Sequence, residues 1–335
     1  MTNQWFARIG LLAVLLALCV VVLGAFVRLS DAGLGCPDWP GCYGRIAVPE
    51  SHVSVAEANR AYPHRPVEPA KAWKEMIHRY FAGTLGLLIL TLAILAWRHR
   101  RDPGQQVALP IFLVVLVVFQ ALLGMWTVTL LLKPLVVLGH LLGGMATLSL
   151  LWWMYQRHTR AFAVQPAPAA ARLRPWALLG IVVLAVQIAL GGWTSSNYAA
   201  LACTEFPTCI GGQWWPHMDF KDAFVLWRGL GLNYEYGVLD SPARAAIHMV
   251  HRIGALVTFI YLGTVGIRAW IAARSLQIRA AAGIMLLLLV AQVSLGISNV
   301  VFSLPLPVAV AHNGGAALLM LSLITLNHQL RPRTI

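Results

Sequence analysis

Apolar residues fall into eight long runs along the chain, near residues 9 to 27, 78 to 97, 108 to 126, 135 to 154, 176 to 193, 248 to 267, 281 to 301 and 308 to 326. Each is close to the twenty or so residues that an α-helix needs to cross about 30 Å of hydrocarbon. The pattern predicts an all-α integral membrane protein with eight transmembrane helices. Arg8 precedes the first run as in a signal peptide, but no small-residue cleavage site follows before Arg28, so that run is expected to remain as a helix.

Composition agrees with this reading. At 59% hydrophobic and 11% charged, 335 residues carry more apolar surface than a soluble core can hide. A net charge of +13 would suggest nucleic acid in a soluble protein. Here the basic residues cluster beside apolar runs and read as topology signals, so nucleic acid is set aside as a partner. One side of the membrane collects Arg8, then Arg98, Arg100 and Arg101, then Arg157, Arg160, Arg172 and Arg174, then Arg268, Arg274 and Arg279, and finally Arg331 and Arg333, with Asp102 as its sole acid. The positive-inside rule then puts both termini in the cytoplasm and the two long loops outside.

Those long loops hold four of the five cysteines. Cys36-Pro-Asp-Trp-Pro-Gly-Cys42 and Cys203-Thr-Glu-Phe-Pro-Thr-Cys209 share one spacing and a central acid-aromatic-Pro, on the side where disulfides persist. Each pair is expected to close a small intraloop ring that contributes roughly 2 kcal/mol, either as a structural disulfide or as a redox pair. Metal binding by the four thiolates is the less favoured alternative, and Cys19 reads as a small apolar filler of the first helix.

The cysteine loops belong to a larger duplication. Gly24 precedes Cys36 by the same interval that separates Gly191 from Cys203, an offset of 167, and Gln120 and Gly124 match Gln292 and Gly296 at 172. Two tandem four-helix bundles of the same orientation follow, spanning residues 1–160 and 176–335 and joined by a cytoplasmic linker at 161–175.

Histidines obey the same duplication. His78-Arg79 matches His251-Arg252 at offset 173, and Gly-His140-Leu-Leu-Gly-Gly matches Ala-His312-Asn-Gly-Gly at 172. A lone helical histidine is usually structural. Two equivalent pairs near the outer ends of the even-numbered helices are instead the arrangement that ligates an iron axially from both sides. Gly143, Gly144, Gly314 and Gly315, one turn from His140 and His312, are expected to leave room for a flat macrocycle. Arg79 and Arg252 read either as partners for haem propionates or as snorkelling anchors. The halves differ where Glu75, three residues before His78, is replaced by His248, three residues before His251. Glu75 is therefore the candidate catalytic carboxylate.

Together with Gly-Ala-Phe-Val-Arg28-Leu-Ser-Asp-Ala-Gly-Leu-Gly before the first cysteine pair and His248-Met-Val-His251-Arg252, these motifs resemble bacterial haem A synthases over nearly the whole chain. The resemblance implies an inner-membrane oxidoreductase of cytochrome oxidase assembly, acting on the C8 methyl of haem O by successive hydroxylations and loss of water. It further implies a resident haem b on His251 and His312, and the substrate haem at His78 and His140. A haem O synthase, an electron carrier and a second copy of the chain are the expected protein partners.

A diheme electron-transfer protein that leaves haem unmodified fits the histidine pairs equally well, and the asymmetry at Glu75 separates the two readings. A haem carrier is a third. His248 competes with His251 as ligand, and the match to His78-Arg79 favours His251. The stretch from Tyr43 to Lys74, with His52, Glu57, His64 and Glu68, is expected to be a solvated cap. Trp214 and Trp215, with His217 and Met218, are expected near the membrane surface.

Overall fold

The computed structural model describes residues 4–332, which form α1 (Gln4–Leu29), α2 (His52–Ala61), α3 (Pro69–Arg98), α4 (Ala108–Thr129), α5 (Pro134–Thr159), α6 (Pro168–Ala171), α7 (Arg174–Ser196), α8 (Phe220–Ala223), α9 (Ser241–Ala272), α10 (Leu276–Val301) and α11 (Leu306–Gln329). Eight helical segments are long and apolar enough to cross a membrane, with α6 and α7 counted as one. Arg333, one of the expected topology signals, lies outside the described residues. Among the described residues there is no strand; two isolated bridges, Cys42 with Arg45 and Ile210 with Gln213, pin the disulfide loops.

Two helices start well before their apolar runs. α3 opens at Pro69 and α9 at Ser241, each with proline in the first turn, where its missing N–H costs nothing. The Asp240 carboxylate caps α9 by accepting from the Ala243 N–H. Glu75 thus lies in a polar opening stretch of α3 that hydropathy does not register, and His248, at the start of its apolar run, is already well inside α9. Likewise α2 lies inside the stretch expected to be only a cap, started by Ser51, whose hydroxyl accepts from the Ser54 N–H.

Contacts between helices close into two circuits. α1 packs on α3 and α5, and α4 on α3 and α5; α7 packs on α9 and α11, and α10 on α9 and α11. α3 and α5 therefore lie across the first circuit, and α9 and α11 across the second. α1 against α11, and α5 against α7 and α11, form the seam between circuits. Lipid is as apolar as leucine, so close packing and interhelical hydrogen bonds hold such a seam. At Gly192 a Cβ would stand 2.7 Å from Leu141 and 2.9 Å from Leu138, so glycine lets these two leucines of α5 pack directly on the α7 backbone. At one end Trp152 and Gln156 both donate to the Thr325 hydroxyl, at 2.9 and 2.8 Å.

At the long-loop end the seam is cationic. Arg28 donates to the Ser195 carbonyl at 2.7 Å and lies 4.2 Å over the ring of Tyr198, whose hydroxyl reaches Asp31 at 3.4 Å. Arg65 pairs with Glu235 at 3.1 Å. Lys133 is buried under the second long loop, donating to the Gly229 carbonyl at 2.6 Å and lying 3.4 Å over Trp227. Arg28→Ala removes a charged donor and a cation–π contact together, and is expected to lower stability by about 1–3 kcal/mol, read as an earlier thermal unfolding midpoint in detergent.

Candidate functional site

Each of the four duplicated histidines rests on a glycine of a neighbouring helix. His78 on α3 meets Gly24 of α1, and His251 on α9 meets Gly191 of α7; a Cβ on these glycines would stand 3.0 and 3.2 Å from the imidazole Cε1. His140 on α5 meets Gly124 of α4, and His312 on α11 meets Gly296 of α10, at 3.4 and 3.1 Å. These are the same glycines whose spacing reveals the duplication. A Cβ there would crowd the rings at Gly24, Gly191 and Gly296 and just touch the ring at Gly124, so the glycines leave each imidazole a seat.

Across the first circuit the rings of His78 and His140 stand 6.4 Å apart, centre to centre, and nearly perpendicular, at 81°. Two imidazoles bound to opposite sides of one ion through metal–nitrogen bonds of about 2 Å have centres roughly 6 Å apart. The hydrogen bonds described for the four residues use Nδ1 or the backbone carbonyl, leaving Nε2 available. Among the described residues no group of three or more His, Cys, Asp or Glu converges as a metal site. Two histidines cannot complete the shell of a bare ion. They do complete an iron whose other four positions come from a porphyrin, so the residues fit a haem.

Two of the expected glycine clearances are filled. At Gly143 a Cβ would collide with the Gln120 amide, 1.7 Å away, and at Gly315 with Gln292 Oε1 at 2.4 Å. Glutamines, not a macrocycle, take that space. Gly144 and Gly314 have only Val21 and Val22 near them, at 4.0 and 3.3 Å. Gln292 donates to the His312 carbonyl at 2.8 Å. Gln187 on α7 does more: its amide nitrogen lies 3.1 Å from His251 Nδ1 and donates to the His251 carbonyl at 3.1 Å. Sequence reasoning passed over Gln187, although an amide inside an apolar run is costly enough to have marked it.

Glu75 is buried at 5% exposure. Its Oε2 accepts from the Cys36 N–H at 2.9 Å, and its Oε1 pairs with Arg79 at 2.5 Å. Arg79 in turn donates to the carbonyls of Asp38, Pro40 and Gly41. Both expected disulfides, Cys36–Cys42 and Cys203–Cys209, are formed, so the first ring is held from below by an acid and a base of α3. The second loop repeats the device with other groups. His248 Nδ1 donates to the Ala199 carbonyl at 3.0 Å and lies 3.5 Å from the Cys203 amide nitrogen. Arg252 donates to the carbonyls of Cys203, Glu205 and Thr208. Within the loops Asp38 accepts from the N–H groups of Tyr43 and Gly44, and Glu205 from those of Gly211 and Gly212. The Gly212 N–H, then the Thr208 hydroxyl, hold the Glu205 carboxyl below the ordinary range. Cys19 is unpaired and exposed on α1 instead of filling the core.

Fold and site together define a multi-span helical membrane protein built around two pairs of glycine-seated histidines under disulfide-bonded loops. The family model for the cytochrome oxidase assembly protein COX15-CtaA matches residues 7–324, and the chain belongs to this family. A heme A synthase of Shewanella oneidensis is 49% identical over 328 residues, covering 98% of this chain and 96% of the relative. Heme A synthases of Rhizorhabdus wittichii and Paracoccus denitrificans are each 27% identical; they cover 96% and 93% of this chain, and 92% and 84% of the relatives.

Gly191→Val puts branched carbons against His251 and is expected to cost roughly 1–3 kcal/mol of overpacking, about tenfold in haem retention. Gly263→Val, where a Cβ meets nothing within 4 Å, is expected to retain haem fully. The ratio of haem to protein absorbance after purification reads both.

Proposed function

We propose that the protein is a haem A synthase, an oxidoreductase that converts the C8 methyl group of haem O into the formyl group of haem A for terminal oxidase assembly. The observation that carries the reading is the 49% identity, over 98% of the chain, to a protein of that name. Haem O is the substrate, and a bacterial inner membrane is the setting.

Within that function, His78 and His140 are assigned to the substrate haem, and His251 and His312 to a resident haem b. Bound there, haem b supplies a one-electron centre. The facing imidazoles at 6.4 Å and the glycine seats support the assignment. Preference for His251 over His248 rests on the shared seat of His78 and His251, and on the engagement of His248 with the Ala199 carbonyl. Two successive hydroxylations of the C8 methyl give a geminal diol, which loses water to leave the formyl group. Each hydroxylation adds an oxygen atom from water, passes two electrons from carbon to the electron carrier and releases two protons. Glu75 is the carboxylate assigned to accept them, one helical turn before His78 and screened from bulk water by the first disulfide loop. Arg79 neutralises it at rest and keeps the loop seated. Most donors of Arg79 and Arg252 already hold loop carbonyls, so their assigned pull on haem propionates is electrostatic and not a bidentate fork.

The basic residues at the short-loop end put both termini in the cytoplasm, with the histidine pairs and disulfide loops towards the outside. The two helix circuits are read as tandem bundles, one per haem. An electron carrier and a haem O synthase complete the assigned partners.

Glu75→Gln keeps an acceptor for the Cys36 N–H while removing the charge. In cells supplied with haem O it is expected to abolish formyl-haem production, as is Glu75→Ala, with the haem b spectrum unchanged in both. Full haem A output from Glu75→Gln would reduce Glu75 to a clasp for the loop. His251→Ala is expected to remove the stably bound haem; an unaltered bis-histidine spectrum in purified protein would refute its ligand role.

A further inference from the structure

Beneath His140, on the side away from the disulfide loops, the next turn of α5 carries no side chain. Gly143 and Gly144 lie three and four residues on, so they share the face of His140, one turn deeper in the span. Gly143 looks to α4, where the Gln120 amide fills its notch; at Gly144 a Cβ would meet nothing nearer than Val21 of α1, at 4.0 Å. The second half differs at this level. Position 316, equivalent to 144 at the repeat offset of 172, is alanine. Gln292, equivalent to Gln120, donates to the His312 carbonyl at 2.8 Å.

Gln120 is more than nine-tenths buried, and neither its amide nitrogen nor its amide oxygen has a hydrogen bond. Turning the amide into the arrangement of Gln292 would still leave an oxygen free, as Gln292 Oε1 is. An unbonded amide inside a membrane span is costly, and a ligand that brings a hydroxyl to it removes the cost. The two haems of the proposed function differ in just such a group. With its propionates drawn towards Arg79 at the loop end, a porphyrin turns its opposite edge down α5, towards Gly144 and Gln120. On that edge haem b carries a vinyl group, which neither donates nor accepts. Haem O carries a long isoprenoid side chain with a hydroxyl at its root.

Resting on the assignment of the substrate haem to His78 and His140, we propose that Gln120 and Gly144 form the notch that selects haem O. The Gln120 amide bonds the side-chain hydroxyl, and bare Gly144 admits the chain where the second half has the methyl group of Ala316. A site built to bond a hydroxyl rejects the analogue that lacks it, because its own polar group is then left unpaired. Gln120 is thus a specificity residue of the amino-terminal site.

The experiment uses the full-length protein purified with its resident haem and titrated separately with haem O and haem B, followed by absorbance. Each variant is read as the ratio of its dissociation constant to that of the wild type, for each haem. Gln120→Leu is expected to weaken haem O about 10- to 100-fold and to leave haem B unchanged. Gly144→Ala, which the open space tolerates, is expected to weaken haem O about fivefold, again with haem B unchanged. An unaltered resident-haem spectrum shows that each variant is folded. Equal weakening of both haems by Gln120→Leu, as loss of a bond to the His140 backbone would give, overturns the selective role of Gln120, and so does no weakening at all. Wild-type binding of haem O by Gly144→Ala overturns the notch. His140→Ala separates this from the reading beneath it. If that variant binds haem O as the wild type does, the amino-terminal assignment itself fails. If it loses haem O while Gln120→Leu and Gly144→Ala behave as wild type, only the notch fails.

Discussion

An imidazole inside a helix bundle has to be given room, and four of them here are each seated on a glycine of a neighbouring helix. Each sits on a helix that crosses a four-helix circuit from its counterpart, and each needs a neighbouring backbone close enough to hold the ring but without a side chain to displace it. Gly24, Gly124, Gly191 and Gly296 meet that requirement. Those glycines fix how near α1, α4, α7 and α10 approach the histidine helices, and so the width across each circuit. With lipid outside, no hydrophobic force draws these helices together, and their spacing is set by what their small residues permit.

Above the histidines, the same helices hold the loops that cover them. An i, i+4 acid–base pair, Glu75 with Arg79, grips the first disulfide ring by its amide and its carbonyls; His248 with Arg252 grips the second. The grips differ in charge. The first grip carries an anionic carboxylate, and the second a neutral-capable imidazole whose Nδ1 is engaged with the Ala199 carbonyl. In the proposed assignment one residue both seats the loop and accepts protons, so a change at Glu75 must be read in two ways at once.

Much of this was legible in the chain. Eight apolar runs gave eight spans, and the shared spacing of the two cysteine pairs anticipated both disulfides. Helix starts were misjudged at Pro69 and Ser241, where a first-turn proline and, at α9, the Asp240 cap open the helix before its apolar run. The roles of Gly143 and Gly315 were also misjudged. An absent side chain says that something comes close without saying what, and the occupants, Gln120 and Gln292, arrive from helices about twenty residues away. Gln187 went unread because its partner depends on the angle between α7 and α9.

The seam holds a trace of how the chain came to be. Arg28 bonds Ser195, and Tyr198 reaches Asp31, and both contacts join positions 167 apart, the interval of the repeat itself. In a symmetric pair of identical subunits, a residue near the two-fold axis meets its own copy. Two arginines would then repel, and two serines would leave the gap unfilled. Once the halves were joined in one polypeptide, each side of the axis was free to change alone, and an arginine stacked on a tyrosine became possible. With Arg28 on one side and Ser195 on the other, neither half carries both members of the contact, so a pair of identical copies of either half would lack it.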